Sequence, residues 1–480
     1  MSKYTVVNPG SAEFGTLFFL LAFNALANPP DNDDGLDIAV ARGSKEFRVV
    51  ATLSGLMFGL GGDEIRVSVG IKGNNFTYDN GVPTGGTATS IVLRVGGATD
   101  SIINEFSVPL KTVYEALSAP FSEDVNSPNE IYSVLGNRLS FLGNINFFGS
   151  SGDDFGLGSN GKDLLSGSAG DDFLLGFNND DRITGSNGDD NLDGGFGNDR
   201  LAGDRGNDSL KGGGGDDYLK GGLGNDDISG GTGNDTILGH LGNNDLSGFF
   251  GNDLLYGSIN DDTIDGGPGI DRVSYANLPV AGGIVVDLST ENSQNTGNAG
   301  FDQLIDVENL TATQFNDTIT GSDSNNDISG MGGDDILLGG FGKDTLRGGD
   351  GNDFMQGGTQ DDRLDGGAGD DIYFGDTGKD VFVFASGTQT TMNETINDFT
   401  LNADKIDLSG IDANITTANT NEVFKFIGNT AYTPGQTREL KFFFDGANTV
   451  VEGDTDHDGV SDFKITLLGH IELRDVDFVL

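Results

Sequence analysis

The sequence predicts a mainly β protein: a parallel β-roll solenoid, preceded by a small α+β domain and closed by a C-terminal β cap. Three observations support this prediction. Glycine accounts for 79 of 480 residues, an aspartate recurs every nine residues, and an aliphatic residue keeps the same period, as at Leu201, Leu210, Leu219 and Ile228. A disordered linker has no reason to hold two positions in register, whereas solenoid units bury their apolar face only by stacking.

The repeats form two blocks with the pattern G-x-x-G/N-x-D-x-U-x, where U is apolar. The first block, 149–274, contains 14 units and the second, 312–383, contains eight. Position eight is apolar in every unit except the first, which has Gly156. The predicted domains are therefore an N-terminal domain, block one, an expanded coil, block two and a C-terminal cap: 1–148, 149–274, 275–311, 312–383 and 384–480.

Each unit is expected to form a six-residue glycine-rich turn and a three-residue strand. The middle side chain of the strand points inward and its neighbours outward. Two units then make one coil, and alternate units build two parallel sheets on a thin aliphatic layer.

Position six creates an electrostatic problem that points to a cation. Stacked turns lie about 4.8 Å apart, so the aspartates form ladders of like charge. The available ligands are carboxylate and carbonyl oxygens, because the chain has no cysteine and only three histidines. This set favours Ca²⁺ over Mg²⁺. The candidate metal ligands are Asp154, Asp163, Asp172, Asp181, Asp190, Asp199, Asp208, Asp217, Asp226, Asp235, Asp253, Asp262, Asp271, Asp317, Asp335, Asp344, Asp353, Asp362, Asp371 and Asp380.

Segments 230–238 (GGTGNDTIL) and 339–347 (GGFGKDTLR) resemble the nonapeptide repeats of RTX proteins. The resemblance implies a β-roll with Ca²⁺ between turns, held by position-six side chains and carbonyls of positions one to four. With neighbours two units apart, 14 units give up to 12 sites and eight give up to six, about 18 ions in total. Asn244 and Asn326 lack the carboxylate, so calcium beside them is expected to be weaker or absent. Phe315 and Gln360 replace the glycine at position four, so their loops depart from the pattern of the family.

The C-terminal segments 380–386, 396–412 and 450–470 resemble the C-terminal domain of serralysin-type secreted proteins. That resemblance implies export through a type I secretion apparatus with an uncleaved C-terminal signal. Asp454, Asp456 and Asp458 match the start of an EF-hand loop, but Ile465 replaces its final glutamate. An acidic hairpin turn and a partial Ca²⁺ site both remain open here.

The expanded coil at 275–311 is similar to interruptions in other RTX proteins, and strands are expected at 284–288 and 304–310. In the N-terminal domain, strands are predicted at 47–53, 64–71, 75–79 and 89–95, and helices at 108–118 and 129–142. Residues 73–91 are similar to a module upstream of RTX repeats in secreted bacterial proteins. The apolar segment 14–30 has two interpretations, a signal peptide or a buried or interfacial segment.

Composition excludes several classes of function. A formal net charge of -49 opposes binding to nucleic acid, and no apolar run is long enough for a transmembrane helix. HExxH and GxSxG motifs are absent, and residues 1–148 contain no histidine, so no catalytic residue is assigned. The sequence favours a non-enzymatic calcium-binding protein of bacterial origin, extracellular or at the cell surface. Two alternatives stay open for 1–148: an adhesin or S-layer-like protein with a cell-surface or glycan ligand, and a carboxylate-based hydrolase using residues such as Asp63, Glu64 or Glu105.

Overall fold

A computed structural model describes most of the chain after the N-terminal residues. The described ranges are 37–42, 46–53, 65–79, 82–95, 101–109, 144–149, 151–279, 282–385, 393–413, 422–432, 438–455 and 460–480. The chain divides into two compact units, Met1–Phe250 and Gly251–Leu480. Apart from a single 3-10 turn at Asp475–Asp477, the regular structure in these ranges is all β, and a membrane-spanning helix is absent from them.

The first unit begins with an antiparallel meander in which each strand pairs with the next. Its strands are β1 (Asp37–Arg42), β2 (Glu46–Leu53), β3 (Ile65–Asp79), β4 (Val82–Val95) and β5 (Ser101–Pro109). All four N-terminal strand predictions are confirmed, with 64–71 and 75–79 joined in the long β3. The predicted helix at 129–142 lies outside the described residues, as does 110–118, and residues 108–109 end β5 instead of starting a helix.

The meander is connected to the repeats by β6 (Asn146–Phe148). This strand pairs antiparallel with β5 and parallel with β8 (Leu164–Ala169). Ile145 and Phe147, on either side of Asn146, are fully buried. The N-terminal strands therefore continue one sheet of the roll.

The repeats of the first unit form two parallel sheets in which each strand pairs with the strand 18 residues further along. One sheet contains β8, β10 (Arg182–Asn187), β12 (Arg200–Arg205), β14 (Tyr218–Leu223) and β16 (Thr236–Leu241). The other contains β7 (Phe155–Ser159), β9 (Phe173–Asn178), β11 (Asn191–Phe196), β13 (Ser209–Gly214), β15 (Asp227–Thr232) and β17 (Asp245–Phe250). The predicted parallel β-roll is confirmed.

Strand length differs from the prediction. The expected three-residue strand is continued by the first three residues of the next unit, as in Arg182–Asn187. The register omits position one itself: Thr184 pairs with Ala202 and Ser186 with Asp204, so pairing resumes beyond Gly185, a buried glycine whose backbone passes close to the aspartate turn. The aliphatic side chain at position eight is fully buried, for example at Ile183 and Leu219, and position seven is exposed at Arg182.

In the second unit one parallel sheet contains β18 (Leu254–Tyr256), β20 (Arg272–Ser274), β24 (Asn309–Thr311), β26 (Asp327–Gly332), β28 (Thr345–Asp350), β30 (Arg363–Ala368), β32 (Val381–Ala385), β34 (Lys405–Gly410) and β39 (Phe478–Val479). The facing strands are β19 (Thr263–Asp265), β21 (Val285–Asp287), β22 (Gln294–Asn295), β23 (Phe301–Ile305), β25 (Thr318–Thr320), β27 (Ile336–Phe341), β29 (Phe354–Thr359), β31 (Ile372–Thr377) and β33 (Asn393–Ile396). The strand predicted at 304–310 is two strands, β23 and β24, because Asp306 adopts a φ of +47° and breaks the pairing.

The C-terminal residues complete the second unit with β35 (Lys425–Phe426), β36 (Glu439–Asp445), β37 (Asn448–Gly453) and β38 (Phe463–Leu467). β36, β37 and β38 pair antiparallel, and β38 adds to the parallel sheet beside β33. The aromatic rings of Phe424 and Phe463 meet edge to face, and Phe426 packs against Phe478. These contacts cover the apolar end of the roll, as a solenoid requires.

Candidate metal centre

The position-six aspartates form an inner ladder in each unit of the fold. Each of the 20 candidates is at most 6% exposed. The backbone N–H of one aspartate donates to the Oδ1 of the aspartate 18 residues later, at 2.7 Å from Asp199 to Asp217 and 2.9 Å from Asp208 to Asp226. Oδ1 therefore fixes the spacing of successive turns without a metal ion.

The second carboxylate oxygen, Oδ2, is buried without a hydrogen-bond partner in most of these residues. They are Asp172, Asp181, Asp190, Asp199, Asp208, Asp217, Asp226, Asp271, Asp335, Asp344, Asp353, Asp362, Asp371 and Asp380. A buried carboxylate oxygen without a partner is unfavourable unless a proton or a cation satisfies it. Rows of such atoms provide oxygens that a cation could bind.

The pKa values of these carboxyl groups also show that their charged form is unfavourable. Burial, assisted by neighbouring aspartates, raises the pKa of Asp181 to about 9 and that of Asp217 to about 8, against the hydrogen bond that each accepts from the preceding turn. Burial raises the pKa of Asp208 to about 7 in the same way. The charged form is thus disfavoured unless positive charge is supplied.

Glycine at position one brings a second oxygen to the same place. A Cβ on Gly212 would lie 2.3 Å from Oδ2 of Asp217 and 2.7 Å from the carbonyl oxygen of Gly230. On Gly348 it would lie 2.0 Å from Oδ2 of Asp353. The space beside each glycine is therefore bounded by a carboxylate oxygen, and at Gly212 also by a carbonyl of the next turn.

Glycine at position four brings the turn backbones together. Gly206 has a φ of +132°, and a Cβ on it would lie 1.8 Å from the carbonyl oxygen of Gly188 in the preceding turn. Gly224 repeats this relation with Gly206. A substituted position four would strain the backbone and collide with a carbonyl, although Gln360 does adopt the required φ, at +82°.

The donor set fits Ca²⁺. Within the described ranges, no three histidine, cysteine or acidic side chains converge on one point, so carbonyl oxygens must supply much of any coordination shell. Ca²⁺ accepts six to eight oxygens from carboxylates and carbonyls in irregular geometry. An open groove of about 570 Å³ is lined in part by Asp181, Asp199 and Asp217.

Not every predicted ligand has a free oxygen. Ser159 donates its backbone N–H to Oδ2 of Asp163 at 2.5 Å, and Thr313 does the same to Asp317 at 2.8 Å. Asn326, expected to weaken binding, accepts the N–H of Ser322 at 2.8 Å. That residues at position two donate hydrogen bonds to the position-six side chain was not recognised in the sequence.

A second, outer ladder at position five was also missed. The N–H of Asn225 donates to Oδ1 of Asn207 at 2.9 Å, and that of Asn207 to Oδ1 of Asp189 at 2.7 Å. These side chains are exposed and their ladder runs in the opposite direction to the inner one. The signal was present, since position five is mostly asparagine or aspartate in block one.

The EF-hand-like turn is only partly described. Residues 456–459 lie outside the described ranges, so Asp456 and Asp458 are untested. Asp462 accepts the N–H and hydroxyl of Thr455 at 2.5 and 2.6 Å, which is a turn contact.

Comparison with known proteins identifies the repeats. A family model for the RTX calcium-binding nonapeptide repeat matches residues 148–176, 175–210, 203–237, 211–246, 238–273, 311–346 and 347–382. No curated protein matches the chain. Among solved structures, an extracellular lipase from Serratia marcescens is similar at 18% identity and a TM-score of 0.17, over 53% of this chain and 40% of the lipase. Residues 148–273 and 311–382 thus consist of RTX calcium-binding nonapeptide repeats.

Proposed function

We propose that the chain is a secreted, non-enzymatic calcium-binding protein whose repeat blocks fold when Ca²⁺ binds outside the cell. The observation that carries the proposal is the row of buried Oδ2 atoms without partners, facing glycine carbonyls in successive turns. The match to calcium-binding repeats supports the choice of ion.

The hydrophobic core explains why folding would depend on the ion. Most nine-residue units bury one apolar side chain at position eight, such as Leu210 or Leu346. The burial of one such side chain is small beside the conformational entropy lost when nine residues are ordered, and strand hydrogen bonds offset only part of the difference. With little apolar area to offset the ordering entropy, the unpaired carboxylates decide whether the roll is stable.

At low calcium concentration the carboxylates of neighbouring turns repel one another, which keeps the repeats open and suits passage through a secretion channel. A calcium ion bound between turns would supply the positive charge and would be coordinated by the carboxylate and carbonyl oxygens of the folded turns. The position-six side chains and the position-one carbonyls would hold it, while Oδ1 keeps the turns in register.

Export by a C-terminal signal is part of the proposal. It is supported by the resemblance of residues 380–480 to serralysin-type domains and by a chain without cysteine, which suits an oxidising exterior. The candidate ligands remain proposals, with those of the middle turns, Asp172 to Asp226 and Asp335 to Asp380, best supported by their unpaired oxygens.

The substitution Asp217→Asn separates metal binding from folding. Its amide oxygen can still accept the N–H of Asp199, as the native Asn244 does from Asp226 at 3.0 Å. The charge is lost, so the number of calcium ions bound per chain should fall by one or two in equilibrium dialysis. Circular dichroism in calcium should stay near that of the wild type.

The matched control is Asp216→Asn, which removes the same charge one residue away. Asp216 is exposed and accepts the N–H of Asn234 at 2.8 Å, a role that asparagine fills elsewhere in the outer ladder. Calcium binding by the control should be unchanged. Equal stoichiometry in Asp217→Asn and the wild type would contradict the ligand assignment.

A further inference from the structure

Position two separates the turns into two kinds. In turns whose carboxylate has an unpaired Oδ2, position two has a positive φ, from +59° at Asp376 to +131° at Gly222. In another set position two is serine or threonine and lies outside that region: Ser159, Ser258, Thr313 and Ser322. Residue type alone does not decide, since Ser186 has a φ of +93° and belongs to the first kind.

In the second kind the position-two residue closes its own turn. The N–H and hydroxyl of Thr313 donate to Oδ2 of Asp317 at 2.8 and 3.0 Å, and its hydroxyl accepts the N–H of Phe315 at 3.1 Å. Oδ1 of Asp317 accepts the N–H of Ile284 at 2.7 Å. Both oxygens of this carboxylate therefore have donors.

Ser258 repeats this arrangement. Its N–H and hydroxyl donate to Oδ2 of Asp262 at 3.1 and 2.7 Å, and its hydroxyl accepts the N–H of Asn260 at 3.2 Å. At Ser322 the side chain at position six is Asn326, whose Nδ2 donates to the carbonyl of Glu308 at 2.6 Å. We call a turn hydroxyl-locked when its position-two serine or threonine is hydrogen-bonded to the position-six side chain of the same turn, as at Ser258, Thr313 and Ser322.

In the expanded coil, side-chain hydroxyls from elsewhere in the coil donate to a buried carboxylate. Asp302 is fully buried and accepts the N–H of Asp262 at 3.0 Å through Oδ1, as in the inner ladder. Its Oδ2 accepts the hydroxyl of Tyr275 at 2.8 Å and that of Thr296 at 2.9 Å. Protein hydroxyls thus donate to Oδ2, the carboxylate oxygen that has no hydrogen-bond donor in the middle turns.

Whereas the Ser159 turn lies in the first unit, the turns of Ser258, Thr313 and Ser322 and the Asp302 carboxylate lie together in the segment 257–329. Arg272 links it further, with an ion pair to Asp327 at 2.9 Å and a hydrogen bond to the hydroxyl of Thr311 at 3.1 Å. One turn within this segment is of the first kind: Oδ2 of Asp271 is unpaired, and Gly267 at position two of that turn has a φ of +85°.

We propose that the hydroxyl-locked turns bind no calcium and that residues 257–329 form a calcium-independent folded segment on which the calcium-dependent turns of block two assemble. The inference rests on the proposed function, because it divides the predicted sites into metal-dependent and metal-independent turns. Donated hydrogens occupy Oδ2 of Asp163, Asp262, Asp302 and Asp317, so these carboxylates have less to gain from a cation than those whose Oδ2 is unpaired. A preformed parallel strand edge also removes the nucleation step that slows non-local pairing.

Two asparagine substitutions in the full chain test the division of sites. Asp317→Asn should leave the number of bound calcium ions unchanged in equilibrium dialysis, while Asp217→Asn lowers it. Loss of calcium from both variants would overturn the inference and leave the proposed function intact. Retention of calcium in both would overturn the proposed function, and with it the inference.

Hydrogen exchange tests the folded segment directly. In chelator, the amides of Asn260 and Phe315 should stay protected, whereas that of Asp208 should be protected only in calcium. Thr313→Ala should reduce protection of the Phe315 amide roughly tenfold, the loss expected for one buried hydrogen bond, and Thr313→Ser should restore it. Ser186→Ala is the control and should leave Phe315 unchanged. Exchange at Asn260 and Phe315 in chelator as fast as at Asp208 would overturn the inference.

Discussion

Gly212→Ala is expected to abolish calcium-dependent folding of the turns around it. The added methyl group would meet Oδ2 of Asp217 at 2.3 Å and the carbonyl oxygen of Gly230 at 2.7 Å. Overpacking at a rigid site destabilises by about 1–3 kcal/mol. Here it also displaces the two oxygens proposed to bind calcium, so local affinity should fall as well.

The measurement is calcium-induced folding followed by hydrogen exchange, with Gly214→Ala as the control. Gly214 lies on the same strand, but its Cβ would approach only the side chains of Phe196 and Thr232, each at 3.2 Å. Alanine is tolerated better than glycine within a strand, so the control should fold like the wild type. Equal calcium-induced protection from hydrogen exchange in the two variants would contradict the inference that oxygens converge beside position one.

Acid is expected to fold the metal-free repeats. The pKa values of Asp208, Asp217 and Asp181 are raised to about 7, 8 and 9 by burial, above the ordinary value of 3.8. The folded roll therefore binds protons more tightly than the unfolded chain. The stability contributed by these groups is fully present below pH 3.8 and is lost as the pH rises through 7 to 9.

In chelator, the β signal in circular dichroism should increase between pH 8 and pH 5, with light scattering as a control for aggregation near the pI of about 4.1. In calcium the dependence reverses, because protons compete with the ion for Oδ2, and the calcium concentration at the midpoint should rise as the pH falls. A metal-free β signal that falls on acidification would show that the carboxylates are not buried as the structure has them.

The periodic features of the fold were predictable from sequence because they depend on local rules. The spacing of Leu201, Leu210 and Leu219 is sufficient to predict a buried column, and the position-six aspartates are sufficient to predict a ladder. The predicted strand length was wrong because the pattern does not show that pairing resumes beyond the glycine at position one. A glycine at position one gives no indication in the sequence of which backbone conformation it adopts.

The division between the two kinds of turn could not be predicted because it depends on backbone conformation. Ser159 and Ser186 are the same residue type at position two, yet only Ser159 donates to its carboxylate. The partners of Asp302 come from Tyr275 and Thr296, whose distances along the chain follow no repeat. A nine-residue pattern therefore predicts where carboxylates lie, but not which of them lack a partner.

The most direct measurement is far-UV circular dichroism of the full chain, titrated with Ca²⁺ and separately with Mg²⁺. We predict a cooperative rise in β signal with Ca²⁺ alone, reversed by chelator, from a baseline that retains only part of the β structure. A spectrum that is fully β in chelator at neutral pH and unchanged by calcium would contradict calcium-coupled folding.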